Sequence, residues 1–183
     1  MKNTYSTYLL ISALCLSGCA TTRYGNPTAA TTSPDFNKGL ACFNRGDSGC
    51  AINEWTPLAD QGSVGAQYNL GRLYREGLGV PKDYVKAAKY MQLAADQDNA
   101  LALNDLSIHY YYGLGVKKDY SKSNKYLMLS ASLGHPPAQH TLGVRYGKGE
   151  TIQQDLQQSQ IWLKRACNKN FKPSCELLSN LNN

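Results

Sequence analysis

The chain has 183 residues, six cysteines and a formal net charge of +6. Its longest early apolar run is too short to cross a bilayer, and the rest, about 148 residues from Phe36 onward, suffices for one domain. The basic balance favours acidic proteins or anionic envelope polymers, and signs of export at the N-terminus argue against nucleic acid as a partner.

Residues 1–18 read as a targeting segment: Lys2 supplies the positive start, and Leu9, Leu10, Ile11, Ala13, Leu14 and Leu16 supply a short apolar core. The following Leu16-Ser17-Gly18-Cys19 resembles the lipobox of bacterial lipoproteins. That resemblance implies cleavage before Cys19 and a diacylglycerol on its sulfur; the alternative is an ordinary secretory signal cut at small residues. Each buried acyl CH₂ contributes about 0.8 kcal/mol, so two or three chains anchor stably. Ala20 stands where an Asp would favour inner-membrane retention, so the expected location is the bacterial outer membrane, facing the periplasm. Residues 19–35 are then the lipidated Cys19 and a flexible tether rich in Thr, Ala, Gly and Pro, its ends about 20 Å apart.

Residues 36–62 are apolar around Ala51, Trp55, Leu58 and Ala59 and are broken at Asn44-Arg45-Gly46-Asp47, a turn sequence between two helical stretches. Cys42 and Cys50 flank that turn. Cys167 and Cys175 have the same Cys-x7-Cys spacing near the other end. Four cysteines in an exported chain allow three disulfide connectivities, of which position favours Cys42 with Cys50 and Cys167 with Cys175. Structural zinc normally uses closer pairs and a redox site uses Cys-x-x-Cys, so neither is expected.

From residue 63 a period of 36 residues governs the chain. Ala66, Leu70, Tyr74, Gly77 and Asp83 recur as Ala102, Leu106, Tyr110, Gly113 and Asp119, then as Ala138, Leu142, Tyr146, Gly149 and Asp155. A fixed period of this size means stacked supersecondary units. Within 63–98, Ala66, Leu70, Leu73 and Tyr74 form the stripe of an amphipathic helix, and Gly71 on that stripe would let a neighbouring helix approach closely. Gly77-Leu78-Gly79 ends the helix, and Pro81 and Asp83 open a second one faced by Tyr84, Ala87, Ala88, Met91, Ala94 and Ala95. The Gly-x-Gly segments follow no strand and lack a further glycine, so they are turns and not phosphate loops. Residues 99–134 repeat this with Ser107 for Gly71 and Ser123 for Ala87. Residues 135–170 place Thr151 at the second turn glycine, and an altered third turn is expected because Thr tolerates left-handed backbone poorly.

The pattern A-x3-L-G-x2-Y-x2-G-x-G-V-x2-D-x5-K-Y-x4-A resembles the Sel-one-like repeat, a relative of the tetratricopeptide repeat. The resemblance covers a short first unit at 36–62, repeats at 63–98, 99–134 and 135–170, and a capping helix at 171–183. The paired cysteines are similar to those of the family's cysteine-rich secreted branch. The resemblance implies an all-α fold, an α/α solenoid of helix-turn-helix repeats wound as a right-handed superhelix, with first helices lining a concave groove. Alignment to the tetratricopeptide pattern puts Tyr68, Arg72, Arg75, Asn104, Ile108, Tyr111, His140 and Val144 in that groove. Tyr and Arg dominate many protein interfaces. The alternative is a solvated helix face. Tyr110-Tyr111-Tyr112 divides into a packing position at Tyr110, a groove position at Tyr111 and Tyr112 covering the turn.

No His-Glu-x-x-His, Gly-x-Ser-x-Gly or Ser-x-x-Lys element occurs, and only four glutamates are present. No enzyme activity, cofactor or metal is expected. The expected function is a protein-binding adaptor of the periplasm. One alternative is an immunity protein that sequesters a secreted antibacterial effector such as a phospholipase. Another, implied by the cysteine-rich branch, is binding or weak hydrolysis of β-lactams.

Overall fold

The structure, a computed structural model, describes residues 33–181; the signal segment, Cys19 and nearly all of the tether lie outside them. Nine helices and no strand occur among the described residues. They are α1 (Phe36–Asn44), α2 (Ser48–Asp60), α3 (Val64–Glu76), α4 (Tyr84–Ala95), α5 (Ala100–Tyr112), α6 (Tyr120–Ser132), α7 (Pro136–Lys148), α8 (Leu156–Cys167) and α9 (Lys172–Leu181). Each helix packs chiefly on the one before and the one after it in the chain, forming an α/α repeat solenoid.

The 36-residue period is a period of hydrogen bonding as well as of apolarity. Asp83, Asp119 and Asp155 cap α4, α6 and α8, each carboxylate accepting a backbone N–H three residues on at 2.9 Å. The backbone N–H of the same aspartates donates back to Tyr74, Tyr110 and Tyr146, at 2.9, 2.8 and 3.0 Å. One residue therefore starts the second helix and ties it to the first; a cap of this kind stabilises by about 1 kcal/mol. Pro81 stays outside α4, in the turn. Ser63 and Asn99 cap α3 and α5. His135 stands at the equivalent place without a side-chain cap, and Pro136 and Pro137 follow it, lacking the N–H groups that would need one.

The third turn keeps the geometry of the others. Thr151 adopts φ 64°, beside 68° for Gly79 and Gly115. Asn124 of α6 holds it there: its amide N–H donates to the Thr151 carbonyl at 2.6 Å, and the Thr151 hydroxyl donates to its Oδ1 at 3.1 Å. At the second turn, a Cβ on Gly115 would overlap the backbone of Tyr84, so the equivalent threonine could not fit there.

The buried apolar residues fall into three clusters in chain order. Trp55 and Leu70 belong to the first, Met91 and Leu103 to the second, and Leu127 and Leu142 to the third. Gly71 allows the close approach expected of it, since a Cβ there would meet Met91 Cγ at 2.8 Å. Disulfides join Cys42 to Cys50 across the α1–α2 turn and Cys167 to Cys175 between α8 and α9. Each staple sits at one end of the described stack, where a solenoid frays most readily.

Candidate functional site

The odd-numbered helices carry all eight groove candidates. Tyr68 and Arg72 lie one turn apart on α3, as do Asn104 and Ile108 on α5 and His140 and Val144 on α7. Four of them, Arg72, Arg75, Tyr111 and His140, reach residues beyond their own helix. The Arg72 guanidinium lies 6.0 Å from the ring centres of both Tyr68 and Phe43 of α1. Arg75 reaches across to α5, where Nη1 meets Asp105 Oδ2 at 2.5 Å, and it also pairs with Glu76 at 2.7 Å. Burial, then the nearby Asp105 charge, pushes the Tyr68 phenol up to about 12. Half-buried Asn104 precedes Asp105, and its backbone carbonyl accepts from the Ser107 hydroxyl at 2.7 Å.

Between α5 and α7, Ile108, Tyr111 and Val144 meet around an open cavity of about 210 Å³, with Thr141, Arg145 and Glu150 completing its wall. The Tyr111 hydroxyl donates to Glu150. That bond, followed by partial burial, raises the Tyr111 pKa. Tyr112 is 67% exposed and meets Tyr111 edge-on. Tyr110 packs inward, stacked on Tyr126 at 5.5 Å. His140 is turned toward the end of the stack: its Nδ1 lies 2.8 Å from the Ser174 hydroxyl, and its ring lies 5.4 Å from that of Phe171. Burial lowers its pKa.

The structure thus brings Ile108, Tyr111 and Val144 into one recess, commits Arg75 to an ion pair, and fits His140 against the segment leading into α9. Sequence reasoning missed Asp105, Arg145 and Glu150. The signal for Arg145 lay in the period. It aligns with Leu73 and His109, both fully buried, so a charged residue there breaks the apolar stripe. Arg145 itself is 7% exposed, and burial lowers its pKa. His109 is likewise depressed by burial; its Nδ1 donates to the Leu114 carbonyl at 2.7 Å. Among the described residues, no cluster of three potential metal ligands occurs, and no helix is long and apolar enough to cross a membrane.

A Sel1 repeat model matches residues 64–99, 100–135 and 136–171. The crystal structure of c5321, described as a protective antigen of uropathogenic Escherichia coli strains displaying an SLR fold, is similar, with a TM-score of 0.73 and 29% identity. The match covers 81% of this chain but 34% of that one, so the present chain spans about a third of that protein. A Sel1 repeat protein from Oxalobacter formigenes matches with a TM-score of 0.65 and 29% identity, over 70% of this chain and 97% of that one. No curated protein matches the sequence. With three consecutive repeats matched on an α/α stack, the chain belongs to the Sel1 repeat family, whose members in general act as protein-interaction scaffolds.

Proposed function

We propose that this chain is a non-enzymatic adaptor of the bacterial periplasm, anchored in the outer membrane through Cys19, that binds one partner protein along its first-helix face. The observation that carries the reading is the recess between α5 and α7. Ile108 is 39% exposed and Tyr111 and Val144 are half-buried, so apolar and aromatic groups stay open to a partner where the stack could have closed over them. Arg72, held between two aromatic rings and bound in no ion pair among those described, extends the face onto α3. Tyr and Arg anchors beside exposed aliphatic groups suit a protein surface better than a small molecule.

The test is cross-linking and affinity purification of the native lipoprotein, followed by the same capture with Arg72→Glu and Ile108→Asp. A specific partner is expected with the wild type and lost with both variants while far-UV circular dichroism stays unchanged. A partner retained by both variants would place binding elsewhere. Cys19→Ser should move the protein out of the membrane fraction and abolish palmitate labelling.

A further inference from the structure

We infer that the recess between α5 and α7 captures a carboxylate of the partner polypeptide on Arg145. The inference deepens the proposed function, since it rests on the first-helix face being a binding surface and names the chemistry that face selects.

Arg145 occupies a position that the first repeat fills with Leu73. A guanidinium there loses most of its water, and in a buried place the loss is made good only by an anion and a full set of hydrogen bonds. Its contacts supply hydrogen bonds to Nη1 alone, and no anion is bonded to it. Nη1 donates to Ser123 Oγ at 3.1 Å and to Asn124 Oδ1 at 2.6 Å, and the guanidinium carbon lies 4.8 Å from the centre of the Tyr111 ring. All three partners are neutral, and no ion pair among the described residues includes Arg145. The cation is therefore fixed and oriented, and one wall of an open recess is made of it. A carboxylate entering that recess meets a positioned donor in partly desolvated surroundings, where charge-assisted bonds are strongest.

The remaining walls limit what arrives with the carboxylate. Ile108 and Val144 offer aliphatic contact, and the rings of Tyr111 and Tyr112 flank them. The volume of about 210 Å³ lies below the roughly 300–1,000 Å³ of small-molecule sites. It suits one side chain or the end of a peptide. A second cation entering the recess would be opposed by the Arg145 charge already seated on the Tyr111 ring.

Glu150 acts as the recess's own competitor. It is exposed, belongs to the α7–α8 turn and accepts the Tyr111 hydroxyl hydrogen. Its charge lies close enough to act on Arg145, and it opposes the arrival of a second carboxylate. Removing that charge strengthens capture.

The experiment is a titration of the full-length chain labelled with ¹⁵N-arginine and with methyl-labelled isoleucine and valine; six arginines keep the Nε region resolved. Three probes separate the carboxylate sources: Ac-Leu-Glu-Leu-NH₂, Ac-Leu-Gln-Leu-NH₂ and Ac-Leu-Gln-Leu-OH. Saturable shifts of Arg145 Nε–Hε and of the Ile108 and Val144 methyls are expected with a probe that carries a carboxylate, and none with the neutral amide. The first probe responding assigns a side chain, and the third assigns a chain terminus. An equal response to all three, or none to any, overturns the inference. Glu150→Gln should lower the apparent Kd of the responding probe about threefold, the size of one partly screened charge contact; an unchanged Kd refutes the competitor. Arg145→Leu should abolish the response, and the Glu150 variant keeps the test sound if that protein does not fold. Should every probe fail while Arg72→Glu still releases a purified partner, this inference falls and the binding function stands.

Discussion

The Ser123 hydroxyl donates to the Ser107 carbonyl at 2.7 Å, joining α6 to α5 at the place where Gly71 faces Ala87 in the preceding repeat. The Ser123 side chain, which departs from the repeat pattern, thus bonds the backbone of Ser107, which departs from it too. Ser123 is fully buried and also accepts from Arg145. Ser123→Ala restores the residue of the first repeat, yet it takes a second bond from the Ser107 carbonyl and leaves one buried Arg145 N–H without its acceptor. The expected cost is about 1–3 kcal/mol. Urea denaturation should show it as a lower midpoint with an unchanged slope; a midpoint equal to the wild type would mean that the gap closes over the lost hydroxyl.

His109 makes stability depend on pH. Burial first, and then the nearby Arg75 charge, depress its pKa from the ordinary value of 6.5, against the pull of the Leu114 carbonyl and Asp105. Below that value the unfolded chain takes up a proton that the folded chain refuses, so stability falls as pH falls from about 7. His135 and His140 are depressed by burial too and add to the slope. His109→Leu substitutes the residue type of Leu73 and removes one contribution. Its melting temperature should therefore change less between pH 7.5 and pH 5.5 than that of the wild type. Parallel curves would show that His109 titrates normally in the folded state.

The repeat made the scaffold and the groove residues Ile108, Tyr111 and Val144 readable, and it concealed the charged residues between them. Tyr74, Gly77 and Asp83 return at fixed intervals because each repeat must stop a helix, turn and cap the next one, and the same chemistry solves that problem each time. Asp105 and Arg145 have no such recurrence: their counterparts are Asn69 and Thr141, and Leu73 and His109. Their roles depend on neighbours in other helices, with Arg75 lying 30 residues before Asp105 and Ser123 22 residues before Arg145. A pattern that averages over repeats treats such residues as departures. Thr151 illustrates the converse. Its side chain suggested an altered turn, but Asn124, where the first repeat has Ala88, provides the bonds that keep it left-handed.

The two disulfides should act independently. Each closes a loop of similar length at opposite ends of the stack, with a sequence separation of 8. A loop of this size stabilises by about 2–3 kcal/mol. Paired serine substitutions at Cys42 and Cys50, and separately at Cys167 and Cys175, should each lower the melting temperature, and the combined variant should show nearly the sum. A combined loss well short of the sum would mean that one end frays before global unfolding. Before reduction, none of these four cysteines should react with a thiol reagent.

Arg72 and Arg75 look equivalent in the sequence, and the structure separates them. Arg75 bridges α3 and α5 through Asp105, whose side chain is 10% exposed. Arg75→Gln strands that carboxylate and should cost about 2 kcal/mol. Arg72 rests on Phe43 and Tyr68 at 6.0 Å from each ring centre. Arg72→Gln forfeits only half-buried cation–π contact and strands no charge, so it should cost about 0.5–1 kcal/mol. Chemical denaturation of the two variants gives the comparison directly. Equal losses would mean that Asp105 finds another donor, and Arg75 would then be as free for partner recognition as Arg72. With the expected inequality, a binding defect in an Arg75 variant reports a loosened α3–α5 contact, and only Arg72 reads the binding face itself.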